Sequence, residues 1–403
     1  MPSLTGAEAI VKSLQQNGVD TIFGLPGGQL DHLFDAIYKT EGKIKLIHSR
    51  HEQGAAYMAF GYARSTGRLG TYTVVPGPGL LNTTAALCTA YACNTPVLCL
   101  TGQIPSGGIG TGRGYLHEIP DQLGLIQKLT KWAARIEHPT QAPDRVREAL
   151  KQLQTGRPRP VELEMAMDMM GEQSEVSLLP PESHTALAPD SGQIELAAKQ
   201  LCLAKRPMFV VGGGAQHASS EVLRLAEMLQ APVTFFRSGK GVIDERHYLS
   251  QSFPAGHRLW TDADVVLAIG TRLKYQQMYW GLDKNLKILR IDIDPIEMNR
   301  ISTPEIGIVA DARIALEALL TAVESHNIPR PSRREELNYL KTEFQEAFED
   351  KIAPQMGYLR VIREELPEDG FFVDEVTQVG FASWYAFPTY HPRHFISAGY
   401  QGT

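Results

Sequence analysis

The sequence predicts an α/β protein made of successive doubly wound parallel-sheet domains. Short β-rich runs alternate with amphipathic helical stretches over the first 170 residues, and the same alternation returns after a polar, proline-rich segment. This alternation is typical of βαβ units that build a parallel sheet. The chain of 403 residues is also long enough for two or three domains, because domains usually comprise ~100–200 residues.

In the first domain, β-branched and apolar runs predict strands at 21–23, 44–47, 71–75, 97–100 and 161–163. Apolar spacing typical of helices predicts helices at 29–39, 52–65, 80–91 and 143–153. An additional helix begins near Thr5, because Thr5 and Glu8 have the spacing of a capping box. We expect this terminal helix to be structural, since no basic start and apolar core of a signal peptide precede it.

In a second α/β unit, apolar runs predict strands at 208–211, 233–236, 265–269, 288–293 and 308–309. A third segment predicts helices near 335–348 and 358–365 and a strand at 371–373. Because this third segment is short for a domain, we expect the chain to stop within it. The predicted organisation is an N-terminal domain at 1–170, a linker at 171–190, a central domain at 191–326, a linker at 327–334 and an incomplete domain at 335–403.

Composition excludes several classes of protein. Apolar residues make up 43% and charged residues 21%, which is ordinary for a globular protein. The net charge of -6, without basic blocks, argues against a nucleic-acid partner. The longest apolar region, 74–100, contains prolines and asparagines, so we expect no membrane span. Four cysteines are too few for a disulfide framework, and we interpret them as reduced thiols of a cytoplasmic protein.

Three glycine-rich turns follow predicted strands, at 24–28, 76–79 and 212–214. Glycine lets the backbone approach a ligand closely, and a helix N-terminus attracts anions. A tight strand-to-helix turn is the simpler explanation of each of them. None has the full GxGxxG pattern of a dinucleotide site, and no P-loop sequence occurs.

Glu52 lies where a predicted strand gives way to a helix, in the sequence HSRHEQ. A carboxylate at this position can simply stabilise the helix N-terminus through the helix dipole. It can also act as a general acid or base at the carboxyl edge of a sheet. His48 and His51 have no third candidate ligand nearby, so we predict no metal site within this chain.

The segment RHEQGAAYMAFGYARSTG, at 50–67, resembles the pyrimidine-binding domain of thiamine-diphosphate enzymes, the superfamily of acetolactate synthase and benzoylformate decarboxylase. Further segments agree and follow the order of that family: FGLPGG at 23–28, GPGLLN at 77–82, ADVVLAIGTRL at 263–273 and IDIDPIE at 291–297. The resemblance covers essentially the whole chain and is greatest to acetolactate-synthase-like proteins.

The resemblance implies that Glu52 hydrogen-bonds the aminopyrimidine ring of thiamine diphosphate and promotes loss of the thiazolium C2 proton. The cofactor would then decarboxylate a 2-oxo acid, and the product would be protonated or joined to a second carbonyl compound. It also implies cofactor-binding roles for Gly27, Gly28, Gln29, Pro76, Gly77, Gly79 and Asn82. Residues of the substrate pocket would be Gln103, Tyr115 and His117.

The chain departs from the family in two places. The synthase loop reads GTGRGYLHE at 110–118, two residues longer than the family's, so the acceptor substrate stays open. The family holds Mg²⁺ through a GDG sequence followed by asparagine, and we find no such pair. We therefore expect the Mg²⁺ ligands to lie beyond the end of this chain, which alone would be inactive.

The resemblance further implies a homodimer or homotetramer whose active site is shared between subunits. FAD is a further option near 212–214 and 270–272. The leading interpretation is decarboxylation with carboligation. Alternatives are a simple 2-oxo-acid decarboxylase or 2-hydroxyacyl lyase of the same superfamily, a flavin- or nucleotide-binding oxidoreductase, and a truncated, non-catalytic binding module.

Overall fold

The computed structural model describes residues 2–283 and 285–402. They form two compact units: residues 2–185 with 400–402, and residues 186–399. Each unit has a six-stranded parallel sheet covered by helices, so the predicted fold class is confirmed. The predicted domain boundaries stay predictions. Across the described residues, no helix is both long and apolar enough to cross a membrane.

The first unit contains eight strands and eight α-helices among its described residues. The strands are β1 (Ser3–Thr5), β2 (Thr21–Gly24), β3 (Lys45–His48), β4 (Gly70–Val74), β5 (Val97–Gln103), β6 (Trp132–Ile136), β7 (Val161–Ala166) and β8 (Gln173–Glu175). The helices are α1 (Gly6–Gln16), α2 (Asp31–Tyr38), α3 (Glu52–Thr66), α4 (Pro78–Leu81), α5 (Thr84–Ala92), α6 (Gln122–Ile126), α7 (Ala142–Gln154) and α8 (Met167–Gly171).

The large sheet of this unit has the strand order β3-β2-β4-β5-β7-β6, and all neighbours are parallel. The chain moves from β2 to β3 on one side and then to β4 on the other side. The carboxyl ends of β2 and β4 therefore flank a topological switch point, where ligands of open α/β sheets bind. One face of the sheet packs Leu98, Leu100, Val161 and Leu163 against α1 and α7 in a continuous apolar core.

Several local predictions can be compared with these elements. The capping box at the start of α1 is present, with Thr5 and Glu8 each bonding the other's backbone N–H at 3.1 Å. The helix expected at 80–91 is divided into α4 and α5. It is interrupted where the Thr83 hydroxyl donates to the Leu80 carbonyl at 2.7 Å, because such side-chain bonds compete with the helical ladder. The sequence patterns missed β6, whose alternation is weak because of its alanines.

The second unit also contains eight strands and eight α-helices among its described residues. The strands are β9 (Pro207–Val211), β10 (Val233–Phe235), β11 (Ser250–Gln251), β12 (Val265–Ile269), β13 (Lys287–Asp292), β14 (Ile306–Val309), β15 (Phe372–Val373) and β16 (Phe395–Ile396). The helices are α9 (Ser191–Leu203), α10 (Ser219–Leu229), α11 (Phe253–Asp262), α12 (Pro295–Met298), α13 (Ala312–His326), α14 (Arg334–Lys351), α15 (Ala353–Glu365) and α16 (Gln378–Ala386).

Its large sheet has the order β11-β10-β9-β12-β13-β14, which is doubly wound with its switch point between β9 and β12. Strands β9, β12 and β13 are apolar along most of their length, as expected for strands covered on both faces. A smaller apolar cluster joins α15 and α16 to the parallel pair β15 and β16.

Candidate functional site

The residues singled out in the first unit gather at the carboxyl edge of its sheet. The turn after β2 carries Gly27 to Gln29, the turn after β4 carries Pro76 to Asn82, and α3 begins directly after β3. These three segments follow neighbouring strands, so the parallel order brings them to the same edge. Residues that are up to 55 positions apart in the chain thereby face one switch point.

Glu52 is the first residue of α3 and is half-buried. Its Oε2 accepts a hydrogen bond from Asn82 Nδ2 at 3.0 Å. Among the described residues, no hydrogen-bond donor is found for the other oxygen, Oε1. The helix N-terminus favours a negative charge at this position, and Asn82 fixes the rotation of the carboxylate. The arrangement therefore leaves one oriented carboxylate oxygen for a ligand.

The turn after β4 depends on two glycines. Gly77 has a φ of +57°, and a Cβ placed there would lie 2.3 Å from the carbonyl oxygen of His117. A Cβ at Gly79 would lie 2.5 Å from Val75 Cγ2 and 3.8 Å from Glu52 Cγ. Only glycine fits these positions without displacing neighbours. The bare backbone of this turn thus lies close to the Glu52 side chain.

The turn after β2 packs against the same valine from the other side. A Cβ at Gly27 would lie 2.5 Å from Val75 Cγ1, whereas Gly28 is exposed and has no neighbour within 4 Å of its Cβ position. Gln29 is buried, and its Nε2 donates to the Leu116 carbonyl at 3.2 Å. Val75 therefore separates the two turns, a role that our reading of the sequence missed.

The loop at 110–118 forms a further wall of the site. Glu118 accepts hydrogen bonds from the backbone N–H groups of Gly112, Gly114 and Tyr115 at 2.7–2.9 Å. These bonds, that of Tyr115 foremost, hold the pKa of Glu118 below its ordinary value. The ring of Tyr115 covers Gly108. His117 has a φ of +70°, and within the described ranges no hydrogen-bond partner exists for its buried Nδ1.

Gln103 ends β5 and is buried. Its Oε1 accepts from the Ile104 N–H at 2.8 Å, and its Nε2 lies 3.4 Å from Glu164 Oε2. Both ends of its amide are thus engaged inside the unit, and its assignment to a substrate pocket stays a prediction. The structure adds Gln122, which joins this group and binds the Gly77 N–H through Oε1 at 2.9 Å. No motif in the sequence marked Gln122.

The glycine turns of the second unit are arranged differently. The Gly214 N–H donates to the Gly270 carbonyl at 3.0 Å, and a Cβ at Gly270 would lie 2.5 Å from Gly214 Cα. The two turns at the switch point are therefore in direct backbone contact. The expectation of FAD near 212–214 and 270–272 stays a prediction.

Within residues 2–283 and 285–402, no group of three or more His, Cys, Asp or Glu side chains could hold a metal ion. Among the described residues, no disulfide joins any of the four cysteines: Cys88, Cys93, Cys99 and Cys202. Burial raises the pKa of the Cys99 thiol, so this cysteine is neutral and unreactive near neutral pH.

Comparison with known proteins defines the class to which this fold and site belong. Residues 4–125 match the N-terminal TPP binding domain of thiamine pyrophosphate enzymes, and residues 194–319 match their central domain. The chain belongs to the thiamine pyrophosphate enzyme family, as the resemblance implied.

The similar proteins include both decarboxylases and synthases. A probable 2-ketoarginine decarboxylase of Pseudomonas aeruginosa is 32% identical over 100% of this chain and 73% of its own length. A probable acetolactate synthase large subunit of Methanocaldococcus jannaschii is 34% identical over 99% of this chain and 71% of its own length. The isozyme 1 large subunit of acetolactate synthase from Escherichia coli is 30% identical over 99% of this chain and 72% of its own length.

Proposed function

We propose that the protein acts on a 2-oxo acid with thiamine diphosphate, by decarboxylation followed by carboligation, in the manner of acetolactate synthases. The observation that supports this proposal is the Glu52 carboxylate, held by Asn82 beside the Gly77–Gly79 turn at the switch point. The relatives named acetolactate synthase support the same reaction class.

The residues at this edge fit the aminopyrimidine end of thiamine diphosphate. Glu52 offers an oriented oxygen to a ring nitrogen, and the exposed Gly28 has no neighbour within 4 Å of its Cβ position, so a flat ring could approach the backbone there. When bound, the cofactor supplies an electron sink for the carbon that loses carbon dioxide. The chain's own contribution is to share a proton at Glu52 Oε1 with the ring nitrogen and to fix the ring's orientation.

The loop at 110–118 is proposed as the substrate wall. Tyr115 is held on it by a bond to Glu118, and His117 adds a polar group, the buried Nδ1, for which the described residues offer no partner. Simple decarboxylation is the second candidate function, because a relative of similar identity is a probable 2-ketoarginine decarboxylase. We further propose that two or four copies assemble, with the site shared between subunits.

The test is the exchange of the thiazolium C2 proton for deuterium, followed by NMR in the purified full-length protein. We expect Glu52→Gln to slow this exchange by about 10²–10⁴-fold, the usual contribution of a positioned acid or base. Asn82→Ala should slow it by about tenfold, because the carboxylate remains but is no longer oriented.

Asp144→Asn is the matched control, since Asp144 is also an acidic residue in the first turn of a helix, α7. This control should leave the exchange rate unchanged. Equal rates for Glu52→Gln and the parent protein would exclude Glu52 from the chemistry. Product analysis with pyruvate and with 2-ketoarginine then distinguishes a ligated product from an aldehyde.

A further inference from the structure

Gln122 is a buried amide whose polar atoms are all engaged. It begins α6 and is 1% exposed. Oε1 accepts from the Gly77 N–H at 2.9 Å, while Nε2 donates to the Gly102 carbonyl at 3.1 Å and to Glu164 Oε2 at 2.8 Å. One side chain thus connects the turn after β4 with β5 and β7.

The orientation of this amide is fixed by the carboxylate below it. Glu164 is fully buried on β7 and its Oε1 accepts from Arg135 Nε at 2.5 Å. A carboxylate accepts hydrogen bonds only, so the NH₂ group of Gln122 has to face Glu164. Its oxygen is then left for the Gly77 N–H. The Arg135–Glu164 ion pair and the Gly102 carbonyl together therefore determine which end of Gln122 meets the turn.

The turn that Gln122 holds has a backbone conformation that needs support. Gly77 has a positive φ, and the carbonyl oxygen of His117 occupies the space that a Cβ at this position would need. Five residues further on, Asn82 donates to Glu52. Any shift of Gly77 would be passed through the short helix α4 to Asn82, because α4 is a single turn that begins directly after Gly77.

We propose that Gln122, oriented by Glu164 and Arg135, is a positioning residue that holds the turn at 76–82 in the conformation in which Asn82 meets Glu52. The hydrogen bond to the turn stands on the structure alone. Its consequence for catalysis rests on the proposed function of Glu52.

The first experiment measures amide hydrogen exchange of the full-length protein without cofactor, resolved by peptide and by NMR at Gly77. We expect Gln122→Leu to accelerate exchange at 76–82 by about 10–100-fold, because the buried Gly77 N–H loses its acceptor. Exchange in α7 should stay unchanged. The control is Gln127→Leu, which removes a single 3.4 Å bond to the Ala133 carbonyl and should leave the turn protected.

A second variant separates positioning from general stability. Gln122→Glu keeps the shape, and when protonated it can still donate to Glu164 and accept from Gly77. When ionised it meets the Glu164 carboxylate, which has Arg135 of β6 as its cation and Glu162, with its raised pKa, beside it on the same face of β7. We therefore expect protection of Gly77 to approach the parent value at pH 5 and to fall about tenfold or more below it at pH 8.

The outcomes separate this inference from the proposed function. Faster exchange at 76–82 in Gln122→Leu, with recovery of Gln122→Glu at acid pH, supports the positioning role even where Glu52→Gln leaves the chemistry unaffected. Unchanged protection at Gly77, or equal acceleration in 76–82 and in α7, would overturn it. In the holoenzyme, Gln122→Leu should also slow C2-proton exchange by about tenfold, with Glu164→Gln having a smaller effect because its amide oxygen can still accept.

Discussion

The two switch points of this molecule both lie in six-stranded parallel sheets, but the sheets differ in strand order and the switch points in the residues that line them. In the first unit, Val75 lies between the turns after β2 and β4, and a half-buried carboxylate, Glu52, lies beside Gly79. In the second unit, Gly214 and Gly270 touch through their backbones. Gly77 and Gly79 fit closely against His117 and Val75, whereas Gly214 and Gly270 fit against each other. Glycine-rich turns that are alike in sequence thus pack against different partners.

The two units also differ in how they bury charge. In the second unit, Lys240 is fully buried between the rings of Phe235 and Phe395 and pairs with Glu245 at 2.9 Å. In the first unit, Glu162 and Glu164 lie on the same face of β7, and Arg135 pairs with Glu164. Burial, and then the charge of Glu164, raises the pKa of Glu162. Both units thus pair a buried carboxylate with a cation, and the first unit buries a second carboxyl beside it.

The largest expected effect on stability comes from breaking the buried Lys240–Glu245 ion pair of the second unit. Lys240→Met leaves Glu245 without its cation in a nearly buried place, which should cost about 3–5 kcal/mol in the free energy of unfolding. Hydrogen exchange of β9 and β12 peptides measures this loss. Lys199→Met, which removes an exposed pair with Glu195, should change it by less than about 1 kcal/mol. Similar losses of unfolding free energy in both variants would show that burial does not make the Lys240–Glu245 pair more important than an exposed pair.

The next effect tests the closed switch point. Gly270→Ala forces a side chain at a φ of +56° and against Gly214 Cα, which should destabilise the second unit by about 3 kcal/mol. Gly156→Ala, in the first unit, is the control, because its φ is +58° and nothing lies within 4 Å of its Cβ position. We expect a loss of about 1 kcal/mol there, from backbone strain alone. A denaturant titration of both variants gives the difference, and equal losses would mean that the contact is not tightly packed.

The smallest effect concerns the buried carboxyl pair of the first unit. Because the folded state raises the pKa of Glu162, its contribution to stability is complete below the ordinary pKa of a glutamate, ~4.3, and is lost as pH rises through the raised value. The stability of Glu162→Gln relative to the parent should therefore increase as pH rises from 4 to 8, by about 1–2 kcal/mol. Unfolding is measured across that range, with the exposed Glu137→Gln as control. Parallel pH profiles for Glu162→Gln and the parent would contradict a neutral carboxyl.

The sequence by itself determined the alternation of strands and helices, and with it the fold class. Strands such as Val265–Ile269 are continuous apolar runs because both faces are covered, and such runs are legible without a structure. The segment at 50–67 likewise identified the family and placed Glu52 at the start of α3. Strand β6 was not predicted, because its alanines give the segment too little apolar–polar alternation.

Only the tertiary structure decided which polar groups meet. Asn82 lies 30 positions from Glu52, and Gln122 lies 45 positions from Gly77. No local pattern encodes such pairs, because they arise from the order of strands in the sheet and from the side of the sheet on which each helix returns. The same reason explains why the glycine turns at 76–79 and 212–214 could not be told apart in advance. Their neighbours across the switch point come from distant strands.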